Sequence, residues 1–251
     1  MILLKNRAVI EVSGDDRVSF LQGLLTNDMS KLKTGVFTYA LMLSPQGRFL
    51  YDFFVLTTPD KILLDAPQID LAEILKKFRI YKLRAKVELA ISPLFVYAQL
   101  SAGQSPFLPD PRASSMGYRA ILELATATED FSVYEEQRIK NLIPDAEQDF
   151  IKDKSFPLEY GMDKLGAIDF EKGCYVGQEV TTRTHHRGVV RKGLYRYQGA
   201  EFPKGTEITA DGNKIGIILG SGICLLNHEE LQTAKNHAIM VSNESITIVH
   251  D

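Results

Sequence analysis

Apolar and polar positions along this 251-residue chain follow two periods, and the switches between them mark its elements. Residues 7–12 read as a short strand, after which Ser13-Gly14-Asp15-Asp16 supplies a turn, a helix N-cap and acid for a first turn. Val18, Leu21, Leu24 and Leu25 then share one face at the helical period, which predicts a packed helix over about 16–27. Residues 36–43 and 48–56 are strand-like on either side of the hairpin connection Ser44-Pro45-Gln46-Gly47, and 61–65 form a third strand. Leu71, Ile74, Leu75 and Phe78 mark the next amphipathic helix, and strands over 85–91 and 94–100 flank Ser92-Pro93.

Periodicity lapses over 101–119, where Gly103, Pro106, Pro109, Pro111 and Gly117 suit either a crossing between lobes or a long surface loop. A helix is predicted over 130–142, closed by Pro144, and 145–170 is irregular. Beyond Arg191 come short strand-like runs at 194–197, 207–210, 214–223, 238–241 and 245–249, separated by Gly, Asn and Asp turns. That spacing reads as a small antiparallel barrel or sandwich.

A net charge of −3 supplies no basic surface for phosphate, so direct nucleic-acid binding is not expected. The first residues lack the apolar core of a signal peptide, and no apolar run reaches membrane-spanning length. A soluble, reducing, cytoplasmic setting is therefore expected, and two cysteines, Cys174 and Cys224, agree with it.

Familiar cofactor motifs are absent: there is no phosphate loop, dinucleotide fingerprint, paired CxxC or nucleophile elbow. What stands out is Lys172-Gly173-Cys174-Tyr175-Val176-Gly177-Gln178-Glu179, a thiol and a phenol framed by two glycines. Lys172 is placed to favour the thiolate; the bland alternative is an inert, space-filling cysteine. His185 and His186 follow beside Arg183, Arg187 and Arg191. Neighbours on a strand point to opposite faces, so no metal site is expected, and the arginines suit an anionic ligand tail. Asp52 interrupts the apolar run Tyr51-Asp52-Phe53-Phe54, either on a solvent face or in a pocket.

Residues 172–179 match the pattern K-G-C-[FY]-x-G-Q-E, continued by Thr182-Arg183-Thr184-His185-His186-Arg187-Gly188. Weaker matches are Phe20-Leu21-Gln22-Gly23, Leu25-Thr26-Asn27-Asp28, Pro45-Gln46-Gly47-Arg48, Asp110-Pro111-Arg112 and Pro157-Leu158-Glu159. Over nearly its whole length the chain resembles the folate-binding YgfZ family. These are iron–sulfur cluster assembly and repair proteins that share a fold with the glycine-cleavage T-protein. The Thr-His-His and Asp-Pro-Arg elements are most similar to the alphaproteobacterial and mitochondrial branch.

The resemblance implies an α+β fold: a T-protein-like ring of mixed subdomains around a central folate cavity, with a small C-terminal antiparallel β-barrel. An N-terminal lobe over 1–100, a second lobe over 101–190 and the barrel over 191–251 are expected. The ligand implied is tetrahydrofolate or a derivative, and the implied partners are iron–sulfur carrier or client proteins. Cys174 would be the essential thiol, tuned by Lys172 and Tyr175. Gly173 and Gly177 would set the loop's backbone, and Gln178 and Glu179 would anchor it. Asp52 would face folate, although Tyr51 replaces the first acid of the T-protein's pair. Arg7 and Tyr134 fall near positions where some bacterial relatives carry tryptophan, and Arg183 would meet the folate tail. The alternatives are a folate-dependent aminomethyl or one-carbon transferase using Asp52, including a tRNA-modifying role, and a folate-gated binding module.

Overall fold

Residues 1–101, 105–124, 126–188, 190–220, 222–234 and 238–249 are described by the computed structural model; Gly103 and the Arg187 side chain, both named above, lie outside them. The chain opens with β1 (Ile2–Leu3) and β2 (Arg7–Ser13) and enters helix α1 (Arg17–Gln22). This helix is shorter than its apolar stripe predicts. Leu24 and Leu25 both turn back onto the Leu21 carbonyl, and Thr26 then pairs with Leu41 across the sheet, which pulls the chain out of helix. Strands β3 (Phe37–Leu43) and β4 (Phe49–Thr57) form the expected hairpin, closed by Gly47 donating to the Ser44 carbonyl at 2.8 Å. Strand β5 (Lys61–Pro67), helix α2 (Leu71–Lys82) and β6 (Glu88–Ile91) complete a five-stranded antiparallel sheet of order β3-β4-β5-β2-β6.

Tyr51, Phe53 and Val55 of β4 pack with Leu21 of α1 and Ile74 and Phe78 of α2. Phe54 joins Phe150, Leu158 and Tyr160 in a separate cluster. Both faces are thus covered, which accounts for an apolar run without strict alternation.

Strands β7 (Phe95–Gln99), β8 (Leu108–Pro109) and β9 (Tyr118–Leu122) join β1 in a second sheet, β1-β7-β9-β8. Part of the expected crossing or loop is therefore an edge strand. Pro109, which has no N–H to donate, is tolerated because β8 is outermost. This sheet also runs through the lobe boundary drawn at residue 100. Helix α3 (Phe131–Lys140) follows, and after an irregular stretch comes α4 (Gln178–Arg187).

Strands β10 (Lys192–Gln198), β11 (Glu207–Ala210), β12 (Asn213–Ile218) and β13 (Ile223–Asn227), then helix α5 (His228–Thr233), β14 (Ile239–Val241) and β15 (Glu244–Val249), complete the chain. The strands close into a barrel, β10-β13-β12-β11-β14-β15. The single run predicted over 214–223 is broken at a turn where Gly222 takes φ +71° and Ile223 donates back to Gly220.

One buried carboxylate ties the barrel to the rest. Asp149 accepts from Arg138 of α3 at 2.8 Å, from the Asp145 amide at 2.7 Å and from the Gly220 amide of the barrel at 2.9 Å. Burial lifts its pKa, with Arg138 opposing. Asp149→Ala leaves Arg138 with Glu135 as its carboxylate partner, at 2.8 Å, and strands the Asp145 and Gly220 amides; it is expected to cost about 1–3 kcal/mol per stranded group in urea unfolding. The double variant Asp149→Leu, Arg138→Met leaves both amides without this acceptor and should regain only a minor part of that loss.

Candidate functional site

The thiol loop is held from behind. The Lys172 side chain is buried, and its ammonium donates to the carbonyls of Gln22, Leu25 and Asn27 at 2.8, 2.7 and 2.8 Å, while lying 5.1 Å from the Tyr175 ring centre. Those carbonyls close the α1 turn, so Lys172 stitches residues 22–27 to the loop. Burial lowers its pKa to about 8, with Asp28 and Asp169 opposing. The three carbonyls that accept its hydrogen bonds give Lys172 an anchoring role.

Val176 donates to Gly23 at 3.2 Å and Asp169 to Thr26 at 3.1 Å, and Lys31 pairs with Asp169 at 2.7 Å. Tyr175 is buried; its hydroxyl has no hydrogen-bond partner among the described residues, and burial pushes its pKa up to about 12. Gln178 reaches back to the Lys172 carbonyl at 3.3 Å. Glu179 lies in the first turn of α4, where a carboxylate suits the helix dipole. Gly177 caps that helix at φ +85°, and a Cβ there would stand 2.5 Å from the Ser44 carbonyl, so the β3–β4 hairpin tip demands glycine. Gly173 has open space beside it, and Cys174 is an exposed free thiol. Cys224, the other free cysteine, is buried, and its thiol is pushed up to about 12.

Helix α4 corrects the strand reading of the histidines. Gly177 starts the helix, and the hydroxyls of Thr181 and Thr184 bond back to carbonyls one turn earlier. His185 stacks on Phe170 with ring centres 3.7 Å apart, and His186 meets His185 edge-on at 5.6 Å. Among the described residues no group of three His, Cys, Asp or Glu is arranged to hold a metal.

Arg7, Asp52 and Tyr134 do converge, in a buried lattice of ions. Arg7 reaches Asp52 at 2.7 Å and Asp65 at 2.5 Å, and Arg119 takes the other Asp65 oxygen at 2.5 Å. Arg112 chelates Asp110 at 3.0 and 2.8 Å, and the Tyr134 hydroxyl accepts from Arg112 at 2.7 Å and Arg119 at 3.0 Å. Tyr39 donates to the second Asp52 oxygen at 3.0 Å. The Phe54 ring lies 3.6, 4.7 and 5.3 Å from the guanidinium carbons of Arg119, Arg112 and Arg7. Burial alone would lift the Asp110 carboxyl, and Arg112 and Arg119 hold it below its usual value. Burial likewise raises the Tyr39 hydroxyl. The free space left is about 10 Å³, room for about one water. A pterin does not fit there. Arg183, the fourth expected folate contact, is exposed on α4 and does not line this cleft.

A larger cleft of about 620 Å³ opens between the 157–165 segment, the end of α4 and β10. Glu159, Lys164, Lys192, Tyr195 and His228 line it. A neighbouring groove of about 170 Å³ shares Leu158, Glu159 and Val190 and runs along Val180, Thr181 and Thr184 of α4. The Glu159 carboxyl is half-buried and makes no hydrogen bond or ion pair among the described residues. Burial raises its pKa, with Lys192 and Arg48 opposing. Sequence reasoning gave Glu159 no role, though Pro157-Leu158-Glu159 was a visible signal. Lys192, Tyr195 and His228 carry no local signature.

At the level of the backbone, the chain matches the crystal structure of glycine cleavage system aminomethyltransferase T from Bartonella henselae with a TM-score of 0.77 at 13% identity, covering 100% of this chain and 84% of that one. The chain has an aminomethyltransferase T fold. Residues 4–80 match the family model of the GCVT N-terminal domain. An iron-sulfur cluster assembly factor IBA57 homolog, mitochondrial, from Mycosarcoma maydis is 38% identical over 217 residues, 74% of this chain and 54% of that protein. One of the same name from Pyricularia oryzae is 33% identical over 239 residues, covering 83% and 60%. The chain therefore spans little more than half the length of these relatives. They bear the assembly-factor name and not that of YgfZ or of a tRNA-modifying protein, which narrows the resemblance drawn from the motifs. Their mitochondrial label also overturns the expectation of a cytoplasmic protein.

Burial of the Lys172 ammonium has a pH signature. Its ammonium gives up a proton near pH 8 in the folded chain and near the ordinary 10.5 in the unfolded one, so across that window the folded state binds fewer protons and this group's contribution to stability rises with pH. Lys172→Met strands three carbonyls and should cost about 2 kcal/mol at pH 7. In urea unfolding at several pH values, its deficit against the parent should widen between about pH 8 and 10.5.

Proposed function

We propose that this chain is an accessory factor in iron–sulfur cluster assembly, with Cys174 as its working thiol and tetrahydrofolate or a derivative as its ligand. The observation that carries the reading is the exposure of Cys174 on a loop whose neighbouring groups are spent on holding it. The assembly-factor relatives support the same reading. A single cysteine cannot hold a four-cysteine cluster, so a cluster at Cys174 takes its remaining ligands from a carrier or client protein. The thiolate is the species that would ligate iron or attack a partner's sulfur.

The 620 Å³ cleft has the size of a small-molecule site, and its chemistry fits folate where the Asp52 cleft does not. Glu159 offers an unpaired carboxyl to the hydrogen-bond donors of a pterin, and Lys164 and Lys192 offer ammonium groups to a carboxylate tail. When bound, tetrahydrofolate would supply a reduced pterin able to carry a one-carbon unit. The transferase alternative asks Asp52 to move a proton, yet both its oxygens are engaged, by Arg7 and by Tyr39.

In cells lacking the endogenous protein, Cys174→Ser is expected to fail to restore a [4Fe–4S] client enzyme, at protein level and thermal midpoint equal to the parent. Full restoration would sink the thiol's role. For the ligand, calorimetric titration with 5-formyltetrahydrofolate should give affinity that Glu159→Gln weakens by about tenfold, the worth of one hydrogen bond to a charged group. Asp52→Asn should leave it unchanged; the reverse pattern would return the ligand to the Asp52 cleft.

A further inference from the structure

The wall of the large cleft formed by the barrel holds an imidazole set in place by three independent features. The His228 amide donates to the Arg191 carbonyl at 2.9 Å, just ahead of the β10–β13 register that pairs Lys192 with Asn227. Its Nδ1 lies 2.7 Å from the Tyr195 hydroxyl. Its ring lies over Gly193, where a Cβ would stand 2.6 Å from Cε1, so only glycine leaves room for it. Gly193 has no left-handed backbone to explain it; close approach of the imidazole does.

His228 and Tyr195 line both the 620 Å³ cleft and a second cavity of about 510 Å³, so the pair stands at the partition between them. The tautomer that accepts the tyrosine proton at Nδ1 carries its own on Nε2, which has no partner among the described residues and would there be a free N–H donor. The charged side chains lining the cleft are Glu159, Asp163, Lys164 and Lys192. Lys192 is on β10, the strand that carries Tyr195, whereas Glu159 is on the opposing segment at the junction with the groove along α4. The barrel wall thus carries the donors Lys192 and His228, and the segment across from it carries the carboxylates Glu159 and Asp163 together with Lys164.

We propose that the Tyr195–His228 pair recognises the carboxylate end of the ligand, making the barrel the specificity wall of the cleft. The ligand class is an elongated small molecule with a hydrogen-bond-donating head at Glu159 and a carboxylate tail at His228 and Lys192. This rests on the ligand reading given above. Tyr195 acts as a positioning residue, since it fixes the imidazole tautomer.

The test is calorimetric binding of 5-formyltetrahydrofolate and of 5-formyl-6-methyltetrahydropterin, which carries no carboxylate, to the full chain. His228→Ala should weaken the folate about tenfold and leave the pterin unchanged, as loss of one hydrogen bond to a charged group predicts. His228→Gln, which keeps an N–H donor, should retain most of the folate affinity, and Tyr195→Phe should weaken the folate alone. Thermal midpoints near the parent's exclude a folding defect, and His228→Gln keeps the test informative should the alanine variant be unstable. Equal losses for both ligands, or no loss for either, overturn the assignment of His228 and leave the ligand reading standing. A parent protein that binds neither ligand overturns both.

Discussion

Asp65 is shared between two arginines from different sheets, and much of the molecule is arranged around that fact. Arg7 rises from β2 beside it in the five-stranded sheet, and Arg119 comes from β9 of the other sheet. Asp52, Asp110, Tyr39 and Tyr134 extend the contact into a closed lattice over the Phe54 ring. Removing charge from water is costly unless each ion finds geometry and partners, and here three guanidiniums meet three carboxylates. Such a lattice depends on every member: removing one partner leaves an uncompensated charge in the interior, which costs more than the pair contributes.

The same lattice separates frame from function. A backbone of the aminomethyltransferase T type is kept, while the space next to Asp52 is given to ion pairs. Fold likeness at 13% identity carries no residue roles, and this interior shows why. Room for a ligand lies instead where the barrel meets the 157–165 segment. The Asp149–Gly220 contact ties the barrel to the 145–149 stretch, and the end of α4 borders the cleft.

What sequence made legible followed local rules. The β3–β4 hairpin, α2 and the barrel strands other than β13 come from periodicity and turn chemistry, and they lie close to where those rules put them, whereas β13 falls past the run expected to end at 223 and α5 was not foreseen. Helix α4 was hidden because its residues are polar and β-branched; what starts it is a left-handed glycine wedged against a distant hairpin tip. The convergence of Arg7, Asp52 and Tyr134 was anticipated only through family likeness. Their mutual neutralisation was not, since Asp65 and Arg119 look unremarkable in sequence and matter through contacts between sheets. Glu159 and His228 lie 69 positions apart, and no local period connects them.

The two cysteines could hardly be more differently placed. Cys224 is enclosed by the barrel interior, with its thiol proton held to about pH 12, while Cys174 stands in water. A maleimide dye or nitroxide offered to the native chain near neutral pH therefore meets a single address. The natural sequence is already a singly labelable protein, and a spectroscopic reporter can sit on the thiol loop without removing any other residue.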